Sequence, residues 1–468
     1  MSIRDRRVKL TSLGAVLAAT LALALPADRA GAGPPAFSNT ALISTWSPPS
    51  GLTTQPNANS TGNSEPAITF GAHGRMALDG LSWLPEQVNT WTGEFGSTPT
   101  YFGAMDAQPL PTPGAGRTTL GDEDADIDIA TTGTMHLADL DAIFNANGGF
   151  TQLGVSVTNC PPSASGPAGC TSQILDTAGA DRPWLTSLGR RVWVAYHDAG
   201  NSTLIHVKKS VDDGVTWTNS GNPITGQDGT TGQSTFNNSL GPIVADPTTG
   251  DVFEAFMAGE PQTKGSSANY NNVYIARSTD GGAHYTDKLL FHAAPFTRLN
   301  NFWPATAVDA LTGAVYVAWT DQHGVSLMTS HNHGASWTGP ITVSTATTTV
   351  MPTVAARGGK VDVLYYGSHA SSVDDTSAVW NTYDSQRLPG GSWTIKKVSN
   401  TPNRVGAICL EGSACPGNKD RELLDLFEAA EDPISGKLAV IYTDTTIDTW
   451  TFNGTTKQLP EIVLAFEN

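Results

Sequence analysis

The chain has 468 residues and a formal net charge of −17, from 26 Lys and Arg against 43 Asp and Glu. That acidic balance excludes nucleic acid and anionic membrane surfaces as natural partners. With 48 Gly, 29 Pro and only 15% charged residues, the composition also excludes a long-helix or coiled-coil protein and fits a turn-rich all-β chain.

Residues 1–32 are expected to lie outside the fold. Arg4, Arg6, Arg7 and Lys9 precede an apolar stretch from Leu10 to Leu25, and Ala30-Gly31-Ala32 supplies small residues for cleavage. This is the pattern of a secretory signal peptide. The stretch is short for a membrane span, which takes about 20 apolar residues, and no later segment competes with it. Removing it subtracts five basic and two acidic residues, so the secreted remainder, 33–468, carries a charge of about −20. That remainder is expected to form one domain and to be monomeric.

From Glu65 onward one pattern recurs seven times. A short apolar run meets a Gly-centred turn, and a second strand rich in Val, Tyr and Trp follows. The copies read EPAITFGAHGRMALDG, ADIDIATTGTMHLAD, RPWLTSLGRRVWVAYHD, GPIVADPTTGDVFEAF, PATAVDALTGAVYVAW, PTVAARGGKVDVLYY and FEAAEDPISGKLAVIYTD. Their turn glycines are Gly74, Gly133, Gly189, Gly250, Gly313, Gly359 and Gly436, spaced by 59, 56, 61, 63, 46 and 77 residues. No such unit can bury both faces of its small sheet alone. The repeat therefore predicts an all-β, seven-bladed β-propeller of four-stranded antiparallel blades, with six blades as the alternative. The last unit supplies three strands. The stretch TALISTW, residues 40–46, is expected to add the fourth and so hide two sheet edges.

Four cysteines form two tight pairs, Cys160 with Cys170 and Cys409 with Cys415. In an exported chain these predict two local disulfides.

After the opening hairpin, three consecutive units carry the pattern Ser-x-Asp-x-Gly-x-x-aromatic. It falls on Ser210, Asp212, Gly214 and Trp217; on Ser278, Asp280, Gly282 and Tyr285; and, with Asn for Asp, on Ser330, Asn332, Gly334 and Trp337. The short acid accepts backbone N–H groups across the turn, Gly allows a left-handed backbone, and the aromatic plugs the gap between sheets. This turn resembles the Asp-box, or BNR, repeat of sialidases and related secreted β-propellers. The resemblance implies a turn joining the third and fourth strands of a blade, on the side away from an active site. Where sialidases carry an Arg-Ile-Pro motif, this chain reads Ser64-Glu65-Pro66, and sialidase catalytic domains have six blades.

If both sets of turns lie on the lower face, first strands begin and second strands end on the upper rim, where ligand groups converge. The acidic run Asp122–Asp128 is the densest feature there. Strand alternation puts Asp124, Asp126 and Asp128 on one side, where mutual repulsion favours a held proton, and hence a general acid, or a shared cation such as structural Ca²⁺; the alternative is a solvated or Arg-paired rim. No cofactor is required. DRPW at 181–184 and KDRE at 419–422 each place Asp beside Arg at a first-strand start. With Arg117 and Arg298 they suit the two-pronged recognition of a sugar carboxylate, or they lock neighbouring blades. The expected substrate-binding set is Arg117, Asp181, Arg182, Arg298, Asn301, Trp303, Asp420, Arg421 and Glu422; the expected catalytic set is Asp124, Asp126 and Tyr366. His197 stands beside Asp198, but adjacent strand residues point to opposite faces, so the histidine reads as structural or exposed rather than as a base with its orienter. Together these point to a secreted, sialidase-like glycoside hydrolase acting on an extracellular acidic glycan. The alternatives are a non-catalytic glycan- or protein-binding propeller and a uronate polysaccharide lyase.

Overall fold

The computed structural model describes residues 36–42, 63–82, 87–106, 117–144, 150–177, 179–198, 204–225, 238–259, 270–299, 303–411, 415, 421–452 and 455–468. Seven antiparallel sheets follow one another along the chain. Blade 1 runs from a broken first strand (Asn63–Ser64 and Ile68–Phe70) through Arg75–Ser82 and Gln87–Glu94 to Thr100–Ala104. Blade 2 is Arg117–Ile129, Met135–Phe144, Phe150–Cys160 and Thr171–Asp176; blade 3 is Ala180–Leu188, Arg191–Asp198, Ile205–Ser210 and Thr218–Asn219. Blade 4 is Asn238–Ala245, Val252–Ala258, Asn272–Ser278 and Thr286–His292; blade 5 is Ala305–Val308, Val315–Thr320, Val325–Ser330 and Thr338–Thr342. Blade 6 is Thr348–Arg357, Lys360–Ser368, Val379–Arg387 and Trp393–Lys397, and blade 7 starts with Glu428–Glu431, Leu438–Phe452 and Thr455–Glu467.

The outer strand of blade 7 comes from the other end of the sequence. Phe37–Leu42 pairs antiparallel with the last strand, from Phe37 opposite Glu467 to Leu42 opposite Ile462. It begins three residues before the expected 40–46 strand, and residues 43–46 lie outside the described residues. The first strands of consecutive blades neighbour one another all the way round, and that of blade 7 returns to that of blade 1. The sheets therefore form a closed propeller of seven blades, not six.

All seven predicted turn glycines have positive φ, between +66° and +87°. That backbone region is cheap only without a Cβ, which is why the repeat is visible in sequence. The Ser-x-Asp-x-Gly turns close as hydrogen-bonded units. Ser210 Oγ donates to Asp212 Oδ1 (2.8 Å) and accepts the Gly214 N–H (2.9 Å). Asp212 accepts both the N–H and the hydroxyl of Thr216, which lowers its carboxyl to about 2. Trp217 and Trp337 tie their indole N–H groups to Gly214 O and Gly334 O. Between blades, apolar clusters such as Trp193, Phe256 and Tyr274 pack sheet on sheet. Both expected disulfides, Cys160–Cys170 and Cys409–Cys415, are formed.

Candidate active site

One local device aims side chains at the axis. Near its start, each of several first strands carries a residue with left-handed backbone: Glu65, Asp124, Arg182, Met351 and Leu424, with φ between +49° and +65°. In blades 2, 3, 4 and 6 the pairing register slips at this point. Proline follows in Glu65-Pro66, Arg182-Pro183, Gly241-Pro242 and Met351-Pro352. A bulge of this kind re-aims one side chain and ends the strict alternation of the strand. It turns Glu65, Asp124 and Arg182, from three different blades, toward one another.

Arg182 is the centre of the group, only 1% exposed. Its Nη1 donates to Asp124 Oδ1 at 2.6 Å and lies 3.2 Å from Glu65 Oε1. The guanidinium covers Trp184 at 4.4 Å and Trp303 at 4.8 Å from the ring centres, and the two indoles meet edge to face. Asp425, one residue after the bulge of blade 7, accepts a 2.6 Å hydrogen bond from Arg421. Burial pushes Asp425 up to about 6 against the pull of Arg421. Burial also holds Glu65 well above the usual carboxylate range, against the pull of Arg182. Asp181 stands exposed beside them, in the field of Asp124 and Arg182.

Below this group lies a second tier of acids. Asp126 accepts the Leu185 N–H (2.6 Å), and Asp128 accepts the Ser187 N–H (2.7 Å) and the Thr69 hydroxyl (2.8 Å). Glu428 accepts the Ile68 N–H (3.1 Å), and Asp79 accepts the Ala67 N–H (2.8 Å). Except for Asp79, these carboxyls bond a strand of the neighbouring blade. Burial raises Asp79 to about 7 and Glu428 to about 8. The axial cavity lined by Trp184, Trp303, Asp425 and Glu428 is narrow, about 20 Å³, which is room for roughly one water.

Several expected residues gather here and others do not. Asp124, Asp181, Arg182, Trp303 and Arg421 belong to the mouth. Asp126 is on the same strand but serves as an inter-blade acceptor. Arg182 takes Asp124 and Glu65 as partners in place of its sequence neighbour Asp181. Arg298 is bound to Glu411 (2.5 Å) and the Leu410 carbonyl (2.8 Å), beside the Cys409–Cys415 loop. Glu422 pairs with Arg404 at 3.0 Å. Tyr366 is fully buried against Phe427, and its hydroxyl accepts the Thr443 N–H at 3.0 Å, so it packs the core and is not presented as a nucleophile. Asp198 bonds His206 of the next strand at 2.9 Å. Asn301, Asp420 and the side chain of Arg117 lie outside the described residues. Sequence reading passed over Trp184, Asp79, Asp425 and Glu428. Trp184 and Asp79 had one signal, position: Trp184 follows the Arg182-Pro183 bulge and Asp79 faces the Glu65-Pro66 bulge across its hairpin. Asp425 and Glu428 follow Leu424, where no proline marks the left-handed residue. Among the described residues, no group of three or more His, Cys, Asp or Glu is arranged to hold a metal ion.

No protein-family model and no curated protein sequence matches this chain. Solved structures of similar architecture include an ulvan lyase of polysaccharide lyase family PL25, at 10% identity and a TM-score of 0.48, covering 86% of this chain and 93% of that one. The intramolecular trans-sialidase of Ruminococcus gnavus aligns at 12% identity and a TM-score of 0.39, covering 86% and 94%. The six-bladed fucose-binding lectin of Aleuria aurantia aligns at 13% identity and 0.41, covering 76% and 97%. These likenesses concern the propeller architecture alone. Among the described residues, no helix is long and apolar enough to cross a membrane.

Proposed function

We propose that this is a secreted, carbohydrate-active propeller: a glycoside hydrolase that engages an extracellular acidic glycan at the axial mouth. The observation that carries the reading is the Arg182 group. It holds one carboxylate in an ion pair (Asp124) beside carboxyls whose proton affinity is raised (Asp425 and Glu65), all next to two indoles. Glycoside hydrolysis needs such an unequal pair, one acid to protonate the leaving oxygen and one carboxylate for the cationic centre. Asp425, at about 6, is a proton donor under mildly acidic conditions. Trp303, half-buried, offers an apolar sugar face its ring, and the Nε and Nη2 of Arg182 are buried beside it with no hydrogen bond among the described residues. Two disulfides support the secreted setting.

The test is hydrolysis of aryl glycosides and acidic polysaccharides by the full chain, with product analysis between pH 4 and 8. Asp425→Asn is expected to lose most activity on natural linkages and to retain it on dinitrophenyl glycosides, whose leaving group needs no proton. Equal loss on both substrates would remove Asp425 from the acid role. The narrowness of the axial cavity favours one second reading, a glycan-binding propeller without catalysis. Binding without product release would decide for it.

A further inference from the structure

On the lower face, away from the mouth, a cavity of about 690 Å³ opens between blades 3 and 4. Its walls are the hairpin turn of blade 3, the Pro247–Gly250 turn of blade 4 and the Ser-x-Asp-x-Gly turn of blade 4 at Thr279–Gly281. Two cations stand over one indole at its edge. The Arg191 guanidinium is 5.5 Å and the Lys209 Nζ 5.8 Å from the Trp193 ring centre. Trp193 and Lys209 are cross-strand partners, and Arg191 lies two positions before Trp193 on the same side of its strand. Both cationic heads converge on Gly281. A Cβ there would stand 3.0 Å from Lys209 Nζ and 3.7 Å from Arg191 Nη1. The Trp193 indole N–H holds the Gly281 carbonyl at 3.0 Å, which fixes the loop against the pair.

The repeat itself says what is unusual. Arg191 precedes Val192, which pairs with Ser210; Lys209 precedes that serine. In blade 4 the matching positions, before Val252 and before Ser278, hold Asp251 and Arg277, an ion pair at 2.6 Å. In blade 5 they hold Ala314 and Thr329, which are uncharged. Blade 3 places two like charges where the next blade places opposite ones. Burial and the charge of Arg191 together pull the Lys209 ammonium below its ordinary range. Among the described residues, neither cation has a carboxylate at ion-pair distance. The acid facing Lys209, Asp280, is held by Ser278 and His284. Like charges kept this close in an acidic protein are stabilised by a counter-anion.

We propose that this groove is a second binding site, for a sulfate or carboxylate group carried on a glycan chain. Arg191 supplies a planar fork for the oxyanion and Lys209 a point charge. The size of the cavity favours a sugar-borne group over a lone ion, because about 300–1,000 Å³ is the range of sites for whole ligands. The site lies on the Gly-turn side, so it acts as an anchor independent of the mouth.

Calorimetric titration of the full chain at low and high salt tests this, with four probes: inorganic sulfate, a sulfated disaccharide, a uronic-acid disaccharide and their uncharged parent. The expected result is that an anionic disaccharide binds, more tightly than inorganic sulfate and more weakly at high salt, and that the uncharged parent does not. Arg191→Asp installs the pairing of blade 4. It is expected to leave the unfolding temperature at or above that of the parent and to weaken anion binding at least tenfold. Lys209→Gln is expected to weaken it severalfold. Absence of binding by both anionic disaccharides, or binding unchanged in both variants, overturns the proposal. Equal affinity for inorganic sulfate overturns the glycan as occupant.

Discussion

Arg182 and Asp124 occupy the same bulge in adjacent blades, and Arg182 Nη1 donates to Asp124 Oδ1 at 2.6 Å. With Glu65 at the matching point of blade 1, the contact ties three blades together at the mouth. Removing the arginine strands two buried carboxyls. Arg182→Met is therefore expected to lower unfolding stability by about 3–5 kcal/mol in urea titration. The triple change with Asp124→Asn and Glu65→Gln is expected to recover most of that loss. A loss below about 1 kcal/mol for the single variant would mean that the group is not a structural tie.

The second tier of acids joins backbone to backbone. Asp128→Ala removes acceptors of the Ser187 N–H and the Thr69 hydroxyl at once, so blades 1, 2 and 3 are all affected. A cost of about 1–3 kcal/mol is expected, with faster amide exchange at Ser187. Unchanged exchange at Ser187 would contradict the bond.

Stability should be greatest in mild acid. Burial raises Asp79 to about 7, Glu428 to about 8 and Asp425 to about 6. Their contribution is fully present below the unfolded carboxyl range and is lost as pH rises through these values. Despite burial, hydrogen bonds from Lys360, Lys396 and Gln386 hold Glu467 at about 2, so its contribution is present above the unfolded range and lost as pH falls toward 2. The unfolding temperature is expected to peak near about pH 5 and to fall toward both pH 8 and pH 2. A calorimetric maximum near pH 8 would contradict these assignments. Glu254, wholly buried and raised by burial alone, belongs to the first class, and Glu254→Gln is expected to flatten the alkaline side.

Closure rests on Phe37, which is 1% exposed and packs in one cluster with Val463 and Ala465. Phe37→Ala is expected to cost about 3–5 kcal/mol. It should also raise proteolysis near the N-terminus, where the bared edge of the Thr455–Glu467 strand invites strand addition. Parent-like protease resistance would place the closure elsewhere.

The fold was legible because the turns that repeat need glycine. Gly74 through Gly436 mark each hairpin, and Ser210-Asp212-Gly214 with its two sister turns marks three more. The disulfides were legible because their partners are close in sequence. The site was legible in part. Period-2 reasoning placed Asp124 with Asp126 and Asp128, but a bulge with φ of +65° rotates Asp124 to the axis and leaves the other two as inter-blade acceptors. The partners of Arg182 come from other blades, which no local pattern in one sequence can pair. A strand end near the rim suggests that Tyr366 faces the pocket; its ring faces the core instead, against Phe427.

Glycan-array binding by the full chain and by Trp303→Ala tests the mouth most directly, since Trp303 sits over Arg182 without bearing the charge network. The account predicts a set of acidic glycans bound by the parent that the variant loses, leaving in the variant only those that the Arg191–Lys209 groove holds by itself. An array on which the parent binds nothing, or on which the variant binds the same glycans equally well, would contradict it.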